Sequence, residues 1–233
     1  MNVAIMQPYV FPYIGYFQLI KAVDVFIFYD DVHFIKKGWI NRNQLLINDQ
    51  AYLFTIPLNK PSQNKLINEI KLALDLKWLK QFYSTLEFSY KKAPFYKEIF
   101  PLIQSIFEEN HKTISDLAID SIKKISNHLD ISTHFELSSE KYPQTRGMKK
   151  ANRLIEICSI KKTKNYINPY GGIDLYDKNY FKKQNINLFF IKNTISSYKQ
   201  FNNSFTGGLS IIDVLMFNSK NHIKHKLNEY KLV

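Results

Sequence analysis

The apolar positions of the first thirty residues fall into two short runs separated by a helical pattern. Residues 2–5 predict a buried strand at the edge of a sheet, and residues 24–29, β-branched and aromatic, predict a second strand. From Ile14 to Val23 the apolar spacing is that of a helix. Strand, loop, helix and strand in this order predict a βαβ unit, in which the two strands are parallel.

A proline-rich loop joins the first strand to the helix. Pro8 and Pro12 hold the backbone extended and remove two amide donors, so neither a helix nor a central strand can persist between them. The loop is also crowded with aromatic side chains. A stiff aromatic loop at this place predicts a preorganised binding wall, and the residues selected for it are Gln7, Pro8, Tyr9, Tyr13, Gly15 and Tyr16.

The rest of the chain alternates between strand and helix patterns. Strands are expected at 51–57, 67–72, 134–137, 164–169 and 188–192, and helices at 149–160, 178–184 and 209–217. The region between Trp78 and His128 reads as packed helices with breaks near 93–94 and 110–113, where Thr113 or Ser115 can cap a helix. The tail from Lys220 onwards predicts a solvated basic helix.

These elements predict an α/β fold with a partly parallel sheet, flanking helices and a central helical insertion. The chain is expected to form a single domain over residues 1–233, in which a mainly helical segment occupies about 76–129.

Two aspartates follow the second predicted strand directly. Ligands of open α/β sheets bind beyond the carboxyl ends of the strands, so Asp30, Asp31 and the proline loop are expected at the same edge. Adjacent side chains on an extended backbone point to opposite faces, which predicts different roles for the two carboxylates. Asp30, Asp31 and His33 are the candidate catalytic residues, because a carboxylate or an imidazole can accept a proton. His33 has no partner at metal-ligand spacing, so no metal site is predicted.

A second concentration of polar groups follows shortly afterwards. Arginine pairs bidentately with phosphate or carboxylate, which makes Arg42 the first candidate for holding an anionic group. Lys36, Trp39, Asn41 and Asn43 are selected with it as substrate-binding residues.

Three further binding candidates follow the strand predicted at 164–169. They are Asn168, Gly171 and Gly172, the glycines because they permit a positive φ or the close approach of a ligand to the backbone. Asp213 lies within an apolar helical pattern and is expected to be buried and to cap or brace a neighbouring loop.

Composition adds an attraction for anions. The chain carries 32 basic and 20 acidic residues and a formal net charge of +12, which favours nucleotides, nucleotide-sugars, nucleic acid or an acidic protein as partners. Cys158 is its one cysteine, which excludes an intrachain disulfide and a multi-cysteine metal site. No apolar run reaches the roughly 18 residues of a membrane helix, and no signal-peptide pattern is present. A cytoplasmic protein without a membrane span is expected.

The common phosphate-loop, dinucleotide-binding, zinc-protease and nucleophile-elbow motifs are absent. Another set of short motifs runs along the whole chain: Gln7-Pro8, Pro12, Gly15-Tyr16-Phe17, Asp24-Val25-Phe26, Asp30-Asp31-Val32, Lys36, Asn41-Arg42-Asn43, Pro57-Leu58, Ile167-Asn168-Pro169, Gly171-Gly172, Tyr198-Lys199-Gln200 and Leu209 to Asp213. Together these motifs resemble the signature of the WbqC-like family. Met6 departs from the pattern, since many relatives carry histidine there.

The resemblance implies a role beside enzymes that make nucleotide-linked amino sugars for O-antigen, the lipopolysaccharide side chain, and other surface polysaccharides. It implies a transferase that moves an acyl or aminoacyl group, for example glycyl, onto the amine of such a sugar. No tightly bound cofactor is implied. The donor is left open among a carrier-protein thioester, a coenzyme A thioester and an aminoacyl-tRNA, so an acidic carrier protein or a charged tRNA is a candidate partner.

Three other classes stay open on the sequence. A glycosyltransferase would use Asp30 and Asp31 to hold a divalent metal on the nucleotide-sugar. An ATP-dependent adenylating ligase would place the proline loop at the phosphates of ATP. A non-catalytic protein would bind a nucleotide-sugar, or nucleic acid through its lysines.

Overall fold

The computed structural model describes residues 1–202 and 204–233. Its strands are β1 (Asn2–Met6), β2 (Val25–Phe28), β3 (Arg42–Ile47), β4 (Gln50–Thr55), β5 (His134–Leu137), β6 (Asn165–Pro169), β7 (Asn187–Asn193) and β8 (Tyr230–Leu232). Its helices are α1 (Ile14–Lys21), α2 (Leu76–Tyr90), α3 (Tyr96–Glu108), α4 (Ile114–His128), α5 (Ser138–Lys141), α6 (Ala151–Ile160), α7 (Lys178–Lys183), α8 (Ile211–Phe217) and α9 (Lys220–Lys226).

The central sheet has the strand order β5-β2-β1-β6-β7-β8. All neighbouring pairs are parallel except β7 and β8, which are antiparallel. The predicted α/β class with a partly parallel sheet is therefore confirmed. The prediction that residues 2–5 form an edge strand is wrong, because β1 pairs with β2 on one side and with β6 on the other. A short run that is apolar on both faces does not distinguish an edge strand from a central one.

Alternate residues of the inner strands supply two separate cores. Ala4 and Phe26 face a core built with α1, α4 and α8, whereas Val3 and Val25 face a core built with α6 and α7. Helices thus cover both faces of the sheet, as its parallel strands require. Cys158 is buried in the second core, where burial raises the pKa of its thiol to about 12, so it behaves as a small apolar residue.

The predicted helices between Trp78 and His128 are confirmed as α2, α3 and α4. Thr113 caps α4 by accepting a hydrogen bond from the Asp116 amide at 3.2 Å, and Asp116 accepts one from the Thr113 amide at 2.9 Å. This reciprocal capping box leaves two fewer amides without a partner at the start of the helix.

One predicted element is wrong, one is right only in part, and two strands, β3 and β8, were not predicted. Residues 67–72 do not form a regular strand; Ile67–Glu69 is a single 3-10 turn, started by a 2.8 Å bond from the Leu66 amide to Glu69. The basic helix predicted from Lys220 onwards is confirmed as α9, but it ends at Lys226 and is followed by β8. It is not fully solvated, because the ammonium of Lys226 is buried against the Ser196 carbonyl at 3.0 Å. Strand β3 was missed, since its first three residues are polar and hide the alternation.

Candidate functional site

A cavity lies where the direction of strand addition reverses. From β1 the chain passes through α1 to β2 on one side, whereas β6 and then β7 extend the sheet on the other side of β1. Open α/β sheets bind ligands at this switch point, outside the carboxyl ends of the strands. The cavity has a volume of about 390 Å³ and is called the switch-point cavity below. Its lining consists of Ile5, Met6, Gln7, Tyr9, Tyr29, Leu154, Tyr166, Asn168, Pro169, Gly171, Gly172, Leu175 and Tyr176.

The lining is largely apolar, and its polar side chains are uncharged. Four of its residues are tyrosines, and Gln7 supplies a side-chain amide that approaches the Tyr9 hydroxyl at only 3.5 Å, too long for a strong bond. Burial raises the pKa of Tyr9 and of Tyr29 to about 12. These phenols stay protonated at neutral pH and act as hydrogen-bond donors, with ring faces available for stacking. The cavity is equipped to bind a ligand and not to remove a proton.

Asn168 is fixed in the cavity wall by its neighbours. Its Oδ1 accepts a hydrogen bond from the Tyr166 hydroxyl at 2.9 Å, and its Nδ2 donates to the Pro169 carbonyl at 3.1 Å. A Cβ at Gly172 would lie 2.0 Å from Asn168 Nδ2, whereas a Cβ at Gly171 would meet nothing within 4 Å. Positive φ does not occur at either glycine. Gly172 therefore makes room for the Asn168 side chain. From the sequence we expected the glycine to permit a positive φ or the close approach of a ligand.

Three hydrogen bonds to carbonyl groups of the proline loop hold it in place. Phe11 has a φ of 42° and is fully buried, a left-handed conformation that costs on the order of 1–3 kcal/mol unless the surroundings impose it. Its carbonyl accepts hydrogen bonds from Asn43 Nδ2 at 2.7 Å and from Ser210 Oγ at 2.8 Å. The next carbonyl, that of Pro12, accepts from the Ile211 amide at 2.9 Å. The loop is a rigid wall.

Two of the selected residues, Asn41 just before β3 and Asn43 within it, donate hydrogen bonds to backbone carbonyls. Asn41 donates to the Ile56 carbonyl at 2.9 Å, which ties the two ends of the β3–β4 hairpin together. Asn43 reaches back to the proline loop as described. Pro8 and Tyr16 are also buried, and the Tyr16 hydroxyl donates to the Gln7 carbonyl at 2.8 Å. These four selected residues support the walls of the site.

A second, smaller cavity of about 220 Å³ shares Tyr9 with the first. We call it the aromatic slot; its lining consists of Tyr9, Pro12, Tyr13, Trp39, Asn43 and Gly208. Tyr13 depends on Gly15, because a Cβ there would lie 2.3 Å from a carbon of the Tyr13 ring. The Tyr13 hydroxyl donates to Asn193 at 3.3 Å, at the end of β7. Gly15 thus positions a wall residue.

The two carboxylates after β2 are buried and already accept hydrogen bonds from neighbouring groups. Asp30 accepts hydrogen bonds from Asn68 Nδ2 at 3.1 Å, from the Ser139 amide at 3.0 Å and from the Ser139 hydroxyl at 2.5 Å. Ser138 Oγ lies 3.0 Å from Asp30 Oδ1 and 2.5 Å from Asp31 Oδ1. The prediction that the two side chains point to opposite faces is wrong, because both residues lie beyond the end of the strand. Each is 2% exposed, and neither lines the switch-point cavity.

Arg153 is the partner that sequence reasoning missed. It lies in α6, 3% exposed, and its guanidinium reaches both carboxylate oxygens of Asp31 at 2.8 and 2.7 Å. The same guanidinium lies 4.7 Å from the ring centroid of Tyr29, a residue of the cavity lining. The available signal was an arginine on the apolar face of a helix, in a chain whose other basic residues are nearly all lysine.

The remaining candidates lie around the turn before β3. Arg42 donates from Nε to the Gly38 carbonyl at 2.8 Å and from a terminal nitrogen to the Lys37 carbonyl, and its guanidinium lies 5.7 Å from the Trp39 ring centroid. Lys36 and His33 are exposed, and His33 forms a backbone bridge with Leu66. The anion-binding role of Arg42 stays a prediction, and its observed contacts hold the turn that carries Trp39.

Asp213 braces a loop, as expected from its place in an apolar helix. It is fully buried and accepts hydrogen bonds from the Tyr198 hydroxyl at 2.5 Å, Gln200 Nε2 at 2.8 Å and the Tyr90 hydroxyl at 3.1 Å. Burial raises the pKa of its carboxyl group. These bonds tie the segment before α8 to α2, and that segment brings Gly208 to the aromatic slot.

Residues 1–202 and 204–233 contain neither a candidate membrane span nor a candidate metal cluster. No helix there is long and apolar enough to cross a membrane. Within the same part of the chain, no group of three or more His, Cys, Asp and Glu side chains is placed to hold a metal ion.

Comparison with known proteins identifies the family. The WbqC-like protein family matches residues 7–225, from the glutamine of the proline loop to the end of α9. The chain belongs to the WbqC-like family. It is also 32% identical over 217 residues to an uncharacterised protein of Mycobacterium tuberculosis, Rv1507c, with 92% of each chain covered. No solved structure matches the chain. In this WbqC-like chain, some motif residues line the two cavities, and others hold the lining residues in place.

Proposed function

We propose that the chain is a transferase that binds a nucleotide-linked amino sugar in the switch-point cavity and acylates or aminoacylates its amine. The product would serve the synthesis of O-antigen or another surface polysaccharide. The observation that carries the proposal is an uncharged cavity at the switch point of an α/β sheet, in which phenols and amides are set among apolar side chains.

The lining suits a sugar better than a bare anion. Amide groups such as those of Gln7 and Asn168 exchange hydrogen bonds with hydroxyls, and tyrosine rings stack on a sugar face or a base. A volume of about 390 Å³ lies in the range of small-ligand sites. The substrate class itself comes from the setting of WbqC-like proteins beside enzymes of surface-polysaccharide synthesis.

In the proposed reaction the sugar amine attacks the acyl carbonyl of the donor. A carbon–nitrogen bond forms, the carbon–sulfur or carbon–oxygen bond of the donor breaks, and the thiolate or alkoxide that leaves takes up one proton. The amine gives up that proton, directly or through a general base worth about 10²–10⁴-fold. Of the three candidates selected from the sequence, Asp30 and Asp31 are saturated and buried, and His33 is exposed. His33 is the one of the three whose side chain is accessible, and we keep it as the candidate base.

The alternative of a metal-dependent glycosyltransferase has less support. It needs the Asp30–Asp31 pair open to a cation and a pyrophosphate. Both carboxylates instead accept hydrogen bonds from serine hydroxyls, and Asp31 pairs with a buried guanidinium.

The proposal is tested by incubating the protein with a panel of nucleotide-linked amino sugars and each donor class, followed by mass spectrometry of the sugar nucleotide. The expected result is a mass gain equal to one acyl or aminoacyl group with one donor class. His33→Ala is expected to lower the rate by 10²-fold or more and to leave binding of the sugar nucleotide unchanged. If the protein binds the sugar nucleotide but no donor produces a mass gain, the transferase proposal is overturned and a non-catalytic binding protein remains.

A further inference from the structure

The aromatic slot is a second binding compartment whose walls are built before any ligand arrives. Phe11 and Pro12 are pinned by hydrogen bonds from β3 and from the start of α8. Tyr13 is seated by the missing Cβ of Gly15. Gly208, with a φ of 73°, turns the backbone at the opposite wall. Preorganised walls favour tight binding, because the protein then loses little conformational entropy when the ligand binds.

The slot offers flat faces and few polar groups. Trp39 is 45% exposed, a large fraction for a tryptophan, and its ring lines the slot together with Tyr9 and Tyr13. The Asn43 amide is already occupied with the carbonyls of the proline loop. A planar ring system fits such a lining, and stacking of one base on an aromatic side chain contributes about 1–3 kcal/mol.

The turn that carries Trp39 is strongly basic. Lys36, Lys37 and Arg42 flank Trp39 along the chain, and residues 32–47 contain no acidic residue. The two lysines are exposed, and Arg42 fixes the turn through the carbonyls of Lys37 and Gly38. Because the two lysines are only two and three residues from Trp39, positive charge near the slot favours a planar ligand that carries phosphate.

We propose that the aromatic slot binds the purine nucleotide group of the acyl donor, with its ring against Trp39 and its phosphate near Lys36 and Lys37. This inference rests on the proposed function and narrows it. A coenzyme A thioester and the 3′ end of an aminoacyl-tRNA both carry an adenosine phosphate, whereas the thioester arm of a carrier protein does not. Tyr9, which lines both cavities, lies between the donor compartment and the sugar compartment.

The test uses the two tryptophans of the chain. Trp78 lies in α2, stacked on Phe82, so Trp78→Phe leaves Trp39 as the single tryptophan reporter. Adenosine 5′-diphosphate and coenzyme A are expected to quench this fluorescence saturably, and adenosine to bind at least tenfold more weakly. Trp39→Phe, which keeps Trp78, is the matched control and is expected to show no saturable change. A Lys36→Gln, Lys37→Gln double variant is expected to remove most of the preference for the diphosphate.

The source of the nucleotide is distinguished by a second arm with a short RNA that ends in CCA. Saturable quenching by coenzyme A, by the RNA or by both supports the shared chemistry, and quenching by one of them alone names the donor class. Absence of saturable quenching by all three phosphate-bearing ligands in folded protein overturns the inference, and equal affinity for adenosine and its diphosphate overturns the phosphate contact.

Failure of the inference and failure of the proposed function have different signatures. Calorimetry of a nucleotide-linked amino sugar on the Gln7→Ala variant reports on the switch-point cavity alone. Loss of sugar binding with unchanged quenching by the diphosphate supports two compartments. Displacement of the diphosphate by the sugar nucleotide would place the sugar's own base in the slot and overturn the inference, while the proposed function stands.

Discussion

Two polar regions at the same edge of the sheet differ in what they can do. The cluster after β2 holds two carboxylates and a guanidinium, all buried and hydrogen-bonded to one another or to serines. The switch-point cavity between β1 and β6 is open, and the only polar side chains in its lining are phenols and amides. The acidic cluster has charged groups that a ligand cannot reach, whereas the switch-point cavity has uncharged polar groups and space for a ligand.

The difference teaches that a concentration of charge in a sequence does not locate a binding site. Buried charges are tolerated when they are paired and hydrogen-bonded, and such a pair fixes the geometry around it. Arg153 links the two regions, because it pairs with Asp31 and stacks on Tyr29 of the cavity lining. We interpret the acidic cluster as the support on which one wall of the cavity rests.

The largest expected effect is on the acidic cluster. Asp31→Asn removes the charge that neutralises Arg153, so the free energy of unfolding should fall by about 3–5 kcal/mol, measured by urea denaturation. Replacing both partners together, Asp31→Leu with Arg153→Met, should recover much of the loss. Asp130→Asn is the control, since Asp130 is an exposed partner of two lysines, and should change stability far less. A cost as small as that of the control would show that the buried pair is not a support.

A smaller loss is expected from crowding the cavity wall. Gly172→Ala places a Cβ against Asn168 Nδ2, and relieving that contact should cost about 1–3 kcal/mol of stability. Gly171→Ala is the matched control, because its Cβ has open space around it, and should stay within about 0.5 kcal/mol of the wild type. Thermal unfolding of the two variants measures the difference. Equal stability would mean that Asn168 is not fixed as described.

A titration effect of intermediate to small size is expected from Tyr9. An unfolded tyrosine ionises near pH 10, whereas burial raises the pKa of Tyr9 to about 12. Between these values the unfolded state binds fewer protons, so this contribution is complete below pH 10 and is lost as the pH rises toward 12, by up to about 1.4 kcal/mol per pH unit. Tyr9→Phe should flatten the alkaline decline in the free energy of unfolding. An unchanged slope would show that Tyr9 ionises freely.

Much of the fold follows from local patterns, and less of the site does. The βαβ start, the helices α2 to α4 with the Thr113 cap, and the edge at which the proline loop and the acidic pair meet are all predictable from periodicity and turn chemistry. The central place of β1 is not predictable, because strand order depends on pairing between segments more than 100 residues apart. The same holds for the Asp31–Arg153 pair, whose members are 122 residues apart.

Within the site, the sequence identified the loop but not the tasks of its residues. Gln7 and Tyr9 line the cavity as expected of wall residues, while Gly15 and Asn43 serve by seating Tyr13 and holding the carbonyl of Phe11. A motif contains contacts to ligand and contacts to its own backbone alike. Only the positions of the side chains separate them.

The central claim, that the ligand lies in the switch-point cavity and not on the acidic pair, is tested most directly by calorimetric titration of three variants with the same nucleotide-linked amino sugar. Gln7→Ala is expected to weaken binding about tenfold, the loss of one good hydrogen bond, with unchanged stability. Gln63→Ala, an exposed control, should bind as the wild type does, and so should the folded fraction of Asp30→Asn. Normal binding by Gln7→Ala together with loss of binding in folded Asp30→Asn would contradict the account.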